Sequence, residues 1–302
     1  MQNFSSAGAL RFIGASPTEK RRMLSDLATQ FRRDRRLRKW DALVTSGERF
    51  TFSDGAERYI LPVTHDDLGA QIFVYGEAEF SKVLSALRLL GRDRVRQFVD
   101  IGANVGQIAI PGLARGIFDF GYAVEPDPTN FGCLAVNAVL NDVAAQLQLV
   151  HAAVGSGATD RLHLALASSE FGDHRIATQP GVHGDRRIIS VPATTIDTVS
   201  PDLIPETDLM WMDIQGYEVT ALRGAQAVLA SRIPLVMEFW PSGILASGET
   251  LNDLMELVGG YGQVADLSNL DFGFLPIETL PRLWSDLSNG SRGRAYVDIL
   301  LR

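Results

Sequence analysis

The run Phe98-Val99-Asp100-Ile101-Gly102-Ala103-Asn104-Val105-Gly106-Gln107 constrains this chain more than any other. An apolar strand meets an acid and then a turn with glycines four residues apart. A helix-competent segment follows at once through Ile108, Ala109, Ile110, Leu113 and Ala114. This is how a first β-strand presents its carboxyl end to a nucleotide-type ligand. Gly102 and Gly106 are expected to let the backbone approach that ligand, and the helix amino terminus to offer free N–H groups to an anion. Asp100, at the strand tip, is expected to meet a positive group. The dinucleotide pattern G-x-G-x-x-G is absent, because Asn104 stands at its second glycine, and hydride chemistry is disfavoured.

From Arg96 onward, strand and helix patterns alternate, which predicts a mostly parallel sheet with helices on both faces. The expected strands are 98–101, 122–125, 147–150, 209–213, 235–239, 263–265 and 296–301. Pro128 opens a helix with Asp127 as its N-cap, and another helix is expected over 218–230. Leu162, Leu164 and Leu166 alternate with polar or small residues, and 188–191 reads as their partner. Together they form a β-hairpin insertion at about 160–191 with a polar loop. The organisation read here is an α+β amino-terminal extension over 1–75 and a ligand-binding domain over 76–302. The extension is expected to hold a helix from Pro17 to Lys39 and strands at 50–52, 59–61 and 71–75. A helix over 79–90 then leads into the glycine turn.

Charge is uneven. The net value is −8, yet Lys20 to Lys39 carries +7, which leaves −15 on the remainder. Such a basic segment could contact nucleic acid, anionic lipid or an acidic protein surface. Few aromatics are interleaved with the charges, so the reading adopted is a solvated amphipathic helix with Met23, Leu24, Leu27 and Phe31 as its buried stripe. No apolar run approaches the ~20 residues needed to span a bilayer. The first sixteen residues lack the basic and apolar regions of a secretory leader, and the expected location is the cytoplasm. The single cysteine, Cys133, excludes an internal disulfide and is expected in the core.

Glu125 follows Asp100 by 25 residues, at the tip of the second strand, where a carboxylate can accept hydrogen bonds from ribose hydroxyls. An adenosine-bearing methyl donor and NAD share that need. A ligand with both an ammonium and a carboxylate, such as S-adenosylmethionine, suits the Asp100 turn. Asp213 and Glu238 end later strands and face the ligand crevice; both are candidate catalytic acids, with Asp213 the first choice for a base. An alternative role for Asp213 is to cap the helix at Glu218. His174 and His183 lie in the insertion loop, where a base for a hydroxyl could sit. No histidine or cysteine spacing suits a zinc site, and no metal is expected.

The motifs together resemble the FkbM-type S-adenosylmethionine-dependent methyltransferases. Val99 to Gly106 resembles the family's first motif, and Val124-Glu125-Pro126-Asp127-Pro128 with Asn137 its second. Met212-Asp213-Ile214-Gln215-Gly216-Tyr217-Glu218 with Leu222-Arg223-Gly224-Ala225 resembles the "I-D-V-E-G-x-E … L-x-G-A" block. Val191 to Asp197 and Met237-Glu238 match later segments. The resemblance implies a Rossmann-like class I fold with a seven-stranded sheet and an antiparallel last strand. It also implies O-methylation of a sugar, glycan or secondary-metabolite hydroxyl. By position, Asp100, Gly102, Asn104 and Gly106 contact the methionine portion, Glu125 the ribose, and Ala153 flanks the adenine. Ala103, Gln107, Pro126 and Asp213 complete the expected cofactor wall. The chain departs from the family at Trp211, where lysine is usual, and at Gln215, where glutamate is usual. These departures keep open a non-catalytic ligand- or partner-binding protein on the same scaffold; an NAD-linked oxidoreductase is the other alternative. A homo-oligomer is compatible with the sequence, which carries no strong nucleic-acid signal.

Overall fold

Alternating apolar strands and amphipathic helices produce the expected layered sheet in the computed structural model, which describes residues 15–65, 67–178, 184–199 and 207–302. The first fourteen residues and His183 lie outside the described residues. Eight strands form the main sheet. In spatial order they are β5 (Leu147–Val150), β4 (Phe118–Val124), β3 (Val95–Ile101), β10 (Leu209–Met212), β11 (Leu235–Phe239), β14 (Val297–Leu301), β12 (Gln263–Asp266) and β13 (Leu275–Pro276). The first five pair in parallel. β14 runs antiparallel to both β11 and β12. The seven expected strands are therefore present, and the eighth is the two-residue edge β13, too short to leave a periodic signal.

Each central strand sends alternate side chains into two separate cores. Leu209 and Trp211 join Phe98, Phe118 and Val236 on one face. Met210 and Met212 join Ile101, Leu235 and Met237 on the other. Helices α3 (Phe80–Leu90), α4 (Ala109–Ala114) and α5 (Pro128–Leu140) follow the expected positions. Asp127 caps α5, accepting N–H bonds from Thr129 and Asn130 at 2.9 and 2.8 Å. Cys133 is buried in the core. The helix expected over 218–230 is instead two, α7 (Glu218–Arg223) and α8 (Gln226–Ser231). Gly224 separates them at a close crossing, where a Cβ would lie 2.3 Å from the Gly155 carbonyl oxygen.

The hairpin insertion forms as expected: β7 (Arg161–Leu166) pairs antiparallel with β9 (Arg187–Thr194). The short β6 (Ala153–Val154) and β8 (Arg175–Ile176) extend it to four strands.

The extension holds a long helix, α1 (Pro17–Ser46), and the hairpin β1 (Phe50–Asp54) with β2 (Arg58–Pro62). Two expectations fail here. Residues 71–75 belong to a helix, α2 (Asp67–Tyr75), not a strand. A continuous apolar run fits either structure, and no strand is paired with it. The stripe on α1 is not buried: Leu24, Leu27 and Phe31 are exposed, and the helix first enters the core at Trp40. Its pattern is amphipathic, but its first half meets no apolar partner among the described residues. The outer strand β2 is capped by amides from α5. Asn137 accepts from Ile60 N–H at 2.6 Å, and Asn141 accepts from Arg58 N–H at 2.8 Å. Trp40, Tyr59, Leu61 and Phe73 share the core of Phe98 and Phe118, so the extension packs continuously with the domain. No helix among the described residues is long and apolar enough to cross a membrane.

Candidate active site

The carboxyl ends of β3, β4, β10 and β11 converge, and the turns leaving them build the site. After β3, Gly102 and Ala103 donate N–H bonds to the Val124 carbonyl at 2.9 and 3.0 Å, which ties the turn to β4. Gly102 has φ +86°, and a Cβ there would lie 2.0 Å from the Asp213 carbonyl oxygen. The second glycine, Gly106, has φ +92° and would drive a Cβ into Ile110 and Leu134 at 2.5 and 2.8 Å. Both glycines are therefore required by the protein's own close approaches. Gly102 also lines the ligand cleft, whereas Gly106 serves helix packing beneath it.

Two connected clefts open on these turns. The narrower, of about 60 Å³, runs between Val124, Glu125, Pro126, Ala153, Leu164 and Phe171. The wider, of about 470 Å³, is lined by Gln107, Glu238, Trp240, Tyr296 and Asp298 among others. Gly102, Asn104, Gly172, Asp213 and Gln215 line both.

Glu125 is buried at the strand tip and holds the loop around it. Its Oε2 accepts from Asn104 N–H and its Oε1 from Asp127 N–H, both at 2.8 Å. Burial pushes its carboxyl up to about 8, against these N–H bonds, which favour the charged form. Asn104 adopts φ +51° to present its N–H. Asn104 Oδ1, Asn130 Oδ1 and Gln107 Oε1 are buried without a hydrogen-bond partner. The insertion contributes to both clefts: Phe171 and His174 to the narrow one, Glu170, Asp173 and Arg175 to the wide one.

Besides Gly106, three expected site residues stand elsewhere than anticipated or differ from the expected role. Asp100 is buried beneath the turn, where its carboxyl accepts the Ala109 backbone N–H at the start of α4, and it is not part of either cleft wall. Ala103 is likewise buried behind the wall. His174 faces the narrow cleft, but its Nδ1 accepts from Ala167 N–H at 3.1 Å. Burial lowers its pKa despite the Asp127 carboxylate 3.9 Å from Nε2. A neutral imidazole with Nδ1 engaged carries its proton on Nε2, so His174 is a poor base.

Asp213 and Glu238 do come together. A third acid, Glu218, joins them, and its Oε1 accepts from Ile214 and Gly216 N–H at 3.0 and 3.2 Å. Asp213 is therefore not the cap of α7, since Glu218 itself binds the turn. Gln215, with φ +58°, donates from Nε2 to Asp213 Oδ1 at 2.8 Å. Asp298 stands opposite Glu238 in the β11–β14 register. Lys82 bonds Glu79 and Asp298 at 2.6 and 2.7 Å. Burial raises the carboxyls of Asp213 and Glu238, with the charges of Glu79 and Asp298 adding to it at Asp213 and those of Asp213 and Glu218 at Glu238. Sequence reasoning had no signal for Asp298, Glu79 or Lys82, because their placement depends on antiparallel register and helix docking.

The fold is that of a class I methyltransferase, with a strand-tip carboxylate beside an apolar slot. The model of the methyltransferase FkbM domain family matches residues 100–258, and the chain belongs to that family. It is an S-adenosylmethionine-dependent methyltransferase. Among solved structures, an RNA methyltransferase from Salinibacter ruber in complex with S-adenosyl-L-homocysteine is 14% identical. That match covers 53% of this chain and 76% of the other, with a TM-score of 0.32. P. horikoshii TYW2 in complex with MeSAdo is 12% identical over 84% of this chain and 70% of its own, with a TM-score of 0.40. Precorrin-6y C5,15-methyltransferase from Geobacter metallireducens is 15% identical over 73% and 85%, with a TM-score of 0.36. No match was found among curated proteins.

The residues present fit the cofactor. The unpartnered acceptors Asn104 Oδ1, Asn130 Oδ1 and Gln107 Oε1 await donors, and Val124, Pro126, Ala153 and Leu164 offer apolar contact. Glu125 accepts two backbone N–H groups and an Asn130 side-chain hydrogen bond, and its two oxygens retain a lone pair for a ribose hydroxyl.

Proposed function

We propose that the chain methylates a hydroxyl of a sugar, glycan or secondary metabolite seated in the wider cleft. The observation that carries this reading is the shared wall of the two clefts. Asp213 and Gln215 border both, so an acceptor in the wide cleft meets a donor in the narrow one beside Asp213. The wide cleft is polar, with carboxylates, amides and the Trp240 face to receive a hydroxylated molecule.

S-adenosylmethionine, when bound, supplies an electrophilic methyl group. Asn104, Gln107, Asn130 and Glu125 would bind and orient it, while Phe171 and Ile176 help exclude water. Asp213 would accept the proton of the acceptor hydroxyl, and Glu238 stands next to it in the same wall. Burial brings the Asp213 carboxyl to about 8, near the range where a base is most effective. Gln215 holds one of its oxygens and leaves the other free.

Purified protein incubated with S-adenosylmethionine and a panel of glycans and hydroxylated small molecules tests the reading. An O-methyl product is expected. Asp213→Asn should keep cofactor affinity within a few-fold and lower turnover by ~10²-fold or more, the scale for a positioned base. Methylation confined to nitrogen or carbon acceptors overturns the hydroxyl assignment. Collapse of cofactor affinity in Asp213→Asn makes the residue a cofactor ligand instead.

A further inference from the structure

Methyl transfer leaves one feature of the cleft wall unexplained. Asp213 follows β10, Glu238 lies in the neighbouring strand β11, and Glu218 opens α7. Each offers a carboxylate oxygen within 4.8 Å of the other two. The geometry is set by the backbone. Met212 pairs with Met237, which brings Asp213 beside Glu238, and the turn 214–217 returns Glu218 to the same point. Gly216, at φ +96°, permits that return, because a Cβ there would lie 2.6 Å from the Gly243 backbone.

Two oxygens in this group have no partner. Glu218 is fully buried; its Oε1 holds two backbone N–H groups and its Oε2 holds none. Glu238 is only 4% exposed, its Oε2 is also unpartnered, and its side chain lines the wide cleft. Nearby cations are committed elsewhere. Lys82 bonds Glu79 and Asp298. Arg175 bonds Asp173 and lies over the Trp240 ring, 4.5 Å from its centroid. Buried carboxylates persist when a cation or a proton compensates them, and three acids that share one point of the wall, two of them with an unpartnered oxygen, are a place for a cation. All three groups offer carboxylate oxygens, which is the ligand chemistry of a hard divalent ion.

We propose that Asp213, Glu218 and Glu238 bind a divalent cation of the Mg²⁺ or Mn²⁺ class in the inner wall of the acceptor cleft. The three carboxylates fill part of its coordination shell. The remaining positions face the cleft, where water or an acceptor oxygen completes them. With the ion bound, Asp213 is a ligand through the oxygen that Gln215 leaves free. An acceptor hydroxyl ligated beside it, at the border with the cofactor cleft, is acidified by the ion, a state distinct from the metal-free one in which Asp213 is the base. Binding of the ion requires neither cofactor nor acceptor, so this inference stands or falls separately from the assignment of the methylated atom.

The experiment uses the full chain, stripped with a chelator, and Mn²⁺ alone. Loss of the free-ion electron paramagnetic resonance signal should report one ion per chain, displaced by Mg²⁺. Glu238→Gln, with its fold checked by circular dichroism, should weaken binding by ~10-fold or more, since the lost oxygen is a direct ligand. Should that variant fail to fold, Asp213→Asn serves, because Asp213 is partly exposed. A second readout is Tb³⁺ luminescence sensitised by the indole of Trp240, which should fall in Trp240→Phe. No uptake at millimolar Mn²⁺, or uptake unchanged in the folded carboxylate variant, overturns the proposal. So does a site that takes methylammonium in place of Mn²⁺, which would mark it as a seat for a cationic acceptor.

Discussion

Replacing Glu125 with alanine removes more than a ribose contact. Its two oxygens accept the Asn104 and Asp127 N–H groups, both buried in the loop that forms the narrow cleft. Leaving each buried donor unpaired costs ~1–3 kcal/mol, so Glu125→Ala should lose ~2–6 kcal/mol of stability before any ligand is added. That is a large share of the ~5–15 kcal/mol that holds a typical domain together. A strand-tip position read from the sequence gives no sign of this structural role. Glu125→Gln keeps one acceptor and should lose less, about the cost of one bond. Urea unfolding of the three proteins measures both, and calorimetry with S-adenosyl-L-homocysteine measures the ribose contact in the glutamine variant.

The pH dependence sharpens the test. Burial raises the Glu125 carboxyl from 4.5 to about 8, so the folded chain keeps a proton that the unfolded chain has released. Stability from this group is fully present below the unfolded value and is lost as pH rises towards the folded value. The slope is at most ~1.4 kcal/mol per pH unit between those limits. Glu125→Gln has no such titration, so its deficit against the parent should be largest near about pH 5 and shrink towards about pH 8. A deficit that widens with pH would refute the reasoning. It would mean that the two N–H bonds outweigh burial and keep Glu125 ionised.

Two other substitutions test the scaffold. Gly102→Ala should cost ~3 kcal/mol or more and abolish cofactor binding, since a Cβ meets the Asp213 carbonyl at 2.0 Å and φ is left-handed; a thermal melt and calorimetry check it. Asn137→Ala should cost ~2–4 kcal/mol by unpairing Ile60 and Val105 backbone groups, and should speed protease cleavage within the β1–β2 hairpin.

How far the sequence reveals this protein depends on the range of the interactions involved. Strand-end acids are legible, because a parallel α/β sheet places carboxyl ends at the ligand crevice whatever the details of packing. Glu125, Asp213 and Glu238 fall there as expected. The glycines are legible as turns, but their cause is not. Gly102 yields to another turn of the protein itself, which requires knowing that β10 lies beside β3. Residues 71–75 read as a strand because Ile72, Phe73 and Val74 are apolar in succession; their helix is decided by packing against α1 and β1. The exposed Leu24, Leu27 and Phe31 show the converse, a helical stripe without a surface to cover. Glu218 was visible within its motif, but its convergence with Asp213 and Glu238 depends on a turn whose geometry local pattern does not specify.

Trp211 departs from the family's usual lysine, and its position explains why the difference need not touch the chemistry. It pairs with Asp100 and Val236 across the sheet, and strand alternation turns its side chain away from Met210 and Met212. Its indole joins the core that includes Phe98 and the extension residues Trp40, Tyr59 and Phe73, with only 3% exposed. Restoring the family residue as Trp211→Lys would bury an ammonium there. Lost indole packing alone is worth ~3–5 kcal/mol, and the unpaired charge adds to it. The variant should therefore unfold at much lower urea and bind cofactor only through its residual folded fraction, whereas Trp211→Phe should remain folded. If Trp211→Lys keeps the parental midpoint and turns over faster, the argument fails. The lysine would then reach the cleft, and Trp211 would be a lost catalytic group rather than a core residue recruited alongside the extension.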